Sequence, residues 1–255
     1  MTLATLLDLG VPKQIFLEEL DKLNLGKEFK IEITDKFENG IKGTNVNVVV
    51  NEGHVHRNLI DIYDIIDKST LNDKIKQNAK DIFMEVAKAE AKVHGTSIDK
   101  IHFHEVGAMD AVADIVGVCL AIYKLAPEQI IASPVHVGYG QIHCAHGILP
   151  IPAPATAHIL QGIPIYGGRI EGELCTPTGA ALLKHFATKF GDMPVMKTKA
   201  IGYGMGKKDF EMANCVRAML GETADDVSRV SELCCNIDDM TAEEIGFATE
   251  TILAS

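Results

Sequence analysis

Apolar positions recur along this chain at two periods, and the period changes where glycine, proline and asparagine cluster. Ile15, Phe16, Leu20 and Leu23 form a stripe of helical spacing between Pro12, placed to take a helix's first position, and Gly26, placed to stop it. Residues 28–34 and 44–50 alternate as half-buried strands do, with Asn39-Gly40 and Gly43 as turn material between them, so a hairpin is predicted. Residues 57–67 and 72–94 read as amphipathic helices. The second carries Ile75, Ala79, Ile82, Phe83 and Val86 on one face and closes at Gly95.

A short strand at 101–105, a helix from about Asp110 to Leu125 and a strand at 129–133 follow, then a segment rich in His, Gly and Pro. Thr176-Pro177 opens a helix through Phe190, and a glycine-rich passage with Gly202, Gly204 and Gly206 precedes a strand near 214–220. Alternating strands and helices predict an α/β fold, a mixed sheet covered by helices, with α+β as the alternative. Residues 1–221 are expected to form the main domain. The polar stretch ETADDVSRVSE reads as a linker, and ELCCNID with a capping box at Thr241 and Glu244 reads as the start of a second, C-terminal domain, so 222–255 is set apart.

Composition narrows the function classes. Of 255 residues, 47% are hydrophobic and 23% charged, and no apolar run approaches the roughly 20 residues of a membrane helix. A net charge of −11 argues against a nucleic-acid groove, which needs clustered Lys and Arg, and favours small ligands, metals or protein partners. The opening MTLATLLDLG has neither a basic leader nor a small-residue cleavage site, which predicts a cytoplasmic protein. The six cysteines include no C-x-x-C pair and read as reduced thiols, most of them in the core.

Potential metal ligands concentrate between Ile101 and Ala157. On a strand, His102 and His104 share a face, and on the helix that follows Asp110 and Asp114, four apart, share another. Imidazoles suit nickel, zinc, copper or iron, while carboxylates extend the choice to magnesium and manganese. Glu105 reads as a proton acceptor or, nearly as well, as a surface glutamate. His146 lies with His143 and Cys144 beside Gly147 in what reads as a rigid, proline-stiffened loop. Thr176, Thr178 and Gly179 stand at a helix start, where free N–H groups favour an anion; a helix cap at Thr176 explains them equally well. Gly202, Gly204, Gly206 and Lys207 read as a phosphate loop. Spacing alone thus reaches a metal and phosphate site.

Taken in order, HFHEVGAMDAVADIVG, CAHGILPIPAPAT, GELCTPTGAALL, GYGMGKKDF and CNIDDMTAEEIG closely resemble the LarC family of nickel insertion proteins. The resemblance implies a CTP-dependent nickel chelatase of the lyase class. Its reaction inserts nickel into pyridinium-3,5-bisthiocarboxylic acid mononucleotide, making the nickel-pincer cofactor of lactate racemase. On that reading His102, His104 and His146 hold nickel with Asp110 or Asp114, Glu105 accepts the ring proton, and Thr176, Thr178, Gly179 and the 202–207 segment hold the phosphate. The family typically opens with a D-C-F-S-G-I-S-G-D loop, and Met1 falls where that loop would end. Its C-terminal domain is associated with CTP and Mg or Mn. The chain is therefore expected to be a first half that needs a separate C-terminal polypeptide, with homo-oligomers left open. His143 stands where the family would carry Lys or Arg, which counts against it as a ligand. Two other readings use the same residues: a metal-dependent phosphohydrolase, and a non-catalytic nickel carrier.

Overall fold

The computed structural model describes residues 1–26, 28–50, 57–101, 103, 109–144 and 147–223, all within one compact unit, Met1–Thr223. The chain begins with α1 (Thr2–Asp8) and α2 (Lys13–Leu20). Pro12 is the residue before α2 rather than its first, and the chain turns out of the helix at Asn24, not Gly26. Asn24 adopts a left-handed φ of 60°, a conformation that a short amide side chain tolerates.

Strands β1 (Phe29–Glu38) and β2 (Ile41–Val50) form an antiparallel hairpin in continuous register from Phe29↔Val50 to Glu38↔Ile41. Asn39 and Gly40 both have positive φ, 47° and 79°, the combination that lets a two-residue turn match strand twist. The hairpin is therefore longer than its alternation predicts, and Gly43 lies inside β2 rather than in the turn.

Helix α3 (Leu59–Lys68) starts with a complete capping box between Asn58 and Asp61. Helix α4 (Asp73–His94) is capped by Asn72 and ends on left-handed Gly95. Its stripe of Ile75, Ala79, Ile82, Phe83 and Val86 is fully buried, each large side chain contributing roughly 1.5–3 kcal/mol. Helix α5 (Met109–Leu125) runs beside α4 and is buried over most of its surface. Ile101 and Phe103 are buried but belong to no strand, and the rest of the expected strand 101–105 lies outside the described residues.

Short strands follow: β3 (Ile131–Ala132), β4 (Val135–His136), β5 (Gly138–Tyr139), β6 (Gln141–Cys144) and β7 (Gly147–Pro150). The expected rigid loop is thus a β6–β7 hairpin. After α6 (Pro154–Ile159) come β8 (Ile165–Tyr166) and β9 (Gly172–Glu173), then α7 (Pro177–Phe186), β10 (Lys189–Phe190), β11 (Met196–Met205) and β12 (Cys215–Thr223). Helix α7 stops a turn before Phe190, which instead joins β10, the parallel partner of β3.

The main sheet has the order β1-β2-β11-β12, with a parallel step between β2 and β11 and antiparallel steps on either side. The fold is α/β, built on this mixed sheet. Helices α1 and α5 pack on it, and α4 ties α5 to α3, α6 and α7. No described helix is long and apolar enough to cross a membrane.

One histidine reports on this helical layer. His185 of α7 sits against Asn78 of α4, Nε2 to Oδ1 3.2 Å, with its ring edge-on to Phe186. Burial lowers its pKa from the ordinary 6.5, and the nearby Asp81 and Glu85 only partly oppose this. The neutral ring is the folded form, so its contribution is present above the unfolded pKa and is lost as pH falls below it. Urea unfolding at pH 7.5 and 5.5 should show a loss on the order of a few tenths of a kcal/mol, small because the ring is half exposed, and His185→Gln should flatten that difference.

Candidate functional site

Helix α1 lies directly on β11, and glycine makes this possible. A Cβ on Gly202 would meet the Thr5 carbonyl oxygen, with Leu9 N at 2.7 Å and Leu9 Cα at 3.0 Å, and one on Gly204 would meet Thr5 and Met1. The contact is pinned by polar groups. Asp8 at the end of α1 accepts from the Thr44 hydroxyl of β2 at 2.7 Å and from the Tyr203 N–H of β11 at 2.8 Å. Buried Thr5 places its hydroxyl within 3.2 Å of the Val216 carbonyl of β12. On its other side α1 meets α5, where Gly117 leaves room for Leu3 and Phe16.

This stacking brings three chain segments together: the start of α1, the first turns of α5 and the end of β11. Asp110 and Asp114 face the same way, as their spacing predicts. Asp110 is exposed and accepts from the Ala111 N–H at 2.9 Å. Asp114 lies deeper. Burial raises its pKa above the usual carboxylate value and the like charge of Asp110 adds to that, while the Met1 amine and Lys207 oppose it. A carboxylate held at such a cost to its own ionisation suits a cationic ligand. Lys207, just past β11, is exposed and makes no ion pair among the described residues.

The predicted site residues divide into three groups. Asp110, Asp114 and Lys207 converge. His102, His104, Glu105 and His146 lie outside the described residues, and among those described no group of three or more His, Cys, Asp or Glu could hold a metal ion. The remaining positions lie at the start of α7 and along or just past β11. Thr176 is the N-cap of α7, its hydroxyl accepting from the Gly179 N–H at 3.2 Å, so that donor is already taken; Thr178 follows half-buried in the first turn.

The first two positions of the expected phosphate loop lie in a strand, not in a loop. Gly202 and Gly204 belong to β11 and are glycine because α1 covers them. Gly206 follows the strand and is crowded by Asn214. The open loop begins only at Lys207.

The four described cysteines are free thiols. Burial pushes Cys175 up to about 12, with Glu173 adding to it, and pushes Cys119 up as well, so neither supplies a thiolate near neutral pH. Sequence reasoning missed Asp8 and Thr5. They carry no local signal, since an acid and a threonine in a first helix read as ordinary surface.

Two acids in the first turns of α5 thus lie in the electrostatic neighbourhood of Lys207, just past β11. The family model for nickel insertion proteins matches residues 1–255, and the chain belongs to that family. Among its relatives, the pyridinium-3,5-bisthiocarboxylic acid mononucleotide nickel insertion protein of Desulfitobacterium hafniense is 43% identical over 251 residues, covering 95% of this chain and 62% of that protein. The protein of the same name from Clostridium kluyveri is 44% identical over 266 residues, covering 99% and 67%. That from Staphylococcus epidermidis is 43% identical over 248 residues, covering 97% and 62%. The chain thus spans roughly two thirds of the length of these curated relatives. No solved structure matches it.

Proposed function

We propose that this chain acts in inserting nickel into pyridinium-3,5-bisthiocarboxylic acid mononucleotide, with nickel and the mononucleotide as substrates. Family membership and the relatives' names support the reaction. The observation that carries the site is the packing of α1 against both α5 and β11, which puts the first turns of α5, with Asp110 and Asp114, near the end of β11, where Lys207 follows. His102, His104 and His146 are assigned to nickel as neutral imidazoles, with Asp110 or Asp114 completing the set. Forming the carbon–nickel bond breaks a ring C–H bond. The electron pair stays on carbon and is donated to the metal, and Glu105 is assigned the proton. Lys207 takes the phosphate of the mononucleotide, while Thr176 caps α7 through the Gly179 N–H.

CTP with Mg or Mn belongs, on this reading, to the C-terminal region of the longer relatives, supplied in cis or by a separate polypeptide. The product would serve a cytoplasmic lactate racemase. Nickel stoichiometry tests the core of the assignment. The unaltered chain is expected to bind nickel, and the His102→Ala/His104→Ala double variant to lose ten- to a hundredfold or about that much affinity. Equal nickel binding by the two proteins would remove the histidines from the site.

A further inference from the structure

Residues 206–214 connect β11 to β12, and Lys207 and Lys208 stand at the start of this loop. The Gly206 N–H donates to the Asn214 carbonyl at 2.7 Å, and the Asn214 side-chain amide donates to the Lys208 carbonyl at 2.8 Å, which closes the loop on itself. Among the described residues, further hydrogen bonds to it come from the β1–β2 hairpin. The Lys36 ammonium donates to the Gly206 carbonyl at 2.8 Å, and the Asn45 amide donates to the Met205 carbonyl at 3.1 Å. Glu38 accepts from the Asn214 N–H at 3.0 Å, and Asn39 donates to the Glu211 carbonyl at 3.3 Å. Lys36 is itself steadied by Glu38, 3.2 Å away, whose side chain is only 8% exposed.

These bonds set a direction. In a trans peptide the C=O and N–H point opposite ways. With the Gly206 carbonyl turned to Lys36, the N–H of Lys207 points away from the hairpin, and it has no acceptor among the described residues. The Lys207 ammonium is likewise without an ion pair there, although the chain as a whole is acidic. A free backbone donor and a free cation at one residue, on a loop held from behind, form a preorganised anion contact.

We infer that the β1–β2 hairpin is the frame that aims Lys207 at the substrate phosphate, with Lys36 and Asn45 as positioning residues. This rests on the assignment of Lys207 to that phosphate. Neither residue touches substrate; each fixes a carbonyl next to the Lys207 peptide.

The test titrates pyridinium-3,5-bisthiocarboxylic acid mononucleotide, and separately nickel, into the full chain and its variants. Lys36→Met and Asn45→Ala are each expected to weaken mononucleotide binding about five- to tenfold, the effect of one lost hydrogen bond, and to leave nickel stoichiometry unchanged. Lys36→Arg, which keeps a donor, should restore most of the affinity. Lys207→Ala reports on the underlying assignment. If Lys207→Ala weakens binding while Lys36→Met and Asn45→Ala do not, the hairpin's role is overturned and the phosphate assignment stands. If Lys207→Ala binds as the unaltered chain does, or the unaltered chain binds no mononucleotide, both fall. Parallel loss of nickel and mononucleotide in Lys36→Met and Asn45→Ala also overturns the inference, since general destabilisation would then explain both. Asn45→Ala removes one half-buried amide, so the test survives if Lys36→Met fails to fold.

Discussion

Gly202→Ala is expected to destabilise the chain by about 3 kcal/mol or more, because the added methyl meets backbone atoms that no rotamer change can move. The atoms in its way are the Thr5 carbonyl oxygen and Leu9 N and Cα, all on or just after α1. To admit the methyl, α1 must lift from β11, which stretches the Asp8 bond to Tyr203 and the Thr5 bond to Val216. Chemical denaturation should show a lower midpoint at unchanged slope. Gly26→Ala is the control: a Cβ there has nothing within 4 Å, so its midpoint should stay close to that of the unaltered chain. An unaltered midpoint for Gly202→Ala would mean that α1 is not seated on β11, and the convergence at its end would go with it.

Asp114→Asn is expected to move stability and function in opposite directions. Burial disfavours the Asp114 carboxylate and the neighbouring Asp110 adds repulsion, so a neutral amide of the same shape should stabilise the fold at neutral pH by on the order of 1 kcal/mol. The same change removes a charge from the proposed nickel site, and nickel affinity should fall about ten- to a hundredfold. Asp110→Asn, at an exposed position, should change stability far less. Residues retained at a cost to stability are those that function requires. Should Asp114→Asn lower the melting temperature, the carboxylate would instead be a structural partner of the Met1 amine and Lys207. Its assignment to nickel would then lose its physical basis.

The parts of this fold that were legible in the sequence are those whose causes are local. Helix α4 carries its own cap at Asn72, its own stop at Gly95 and an unbroken apolar stripe. The β1–β2 hairpin carries Asn39 and Gly40, two residues suited to positive φ, at its turn. The shared face of Asp110 and Asp114 follows from helical periodicity alone.

What was misread depends on partners distant in sequence. Gly202 and Gly204 look the same whether a phosphate or a helix lies over them, and only the return of α1 onto β11 decides between the two. Gly43 reads as a turn residue until the Tyr203 carbonyl is found 2.6 Å from where its Cβ would be. Asp8, the acceptor that joins three elements, is one more acid at a helix end when read locally. Helix α7 is shorter than the apolar pattern predicts, because Phe190 continues that pattern as the strand partner of Ala132.

The sheet's parallel step has a consequence for how the molecule is made. Strands β1 and β2 emerge from the ribosome before their neighbours β11 and β12, which follow only after residues 51–195 have been synthesised. Throughout that interval the inner edge of β2 has no strand to pair with, and the groove that will receive α1 has no floor. Pairing of β2 with β11 is therefore a long-range event, and until it happens the margin of β2 stays open to other strands.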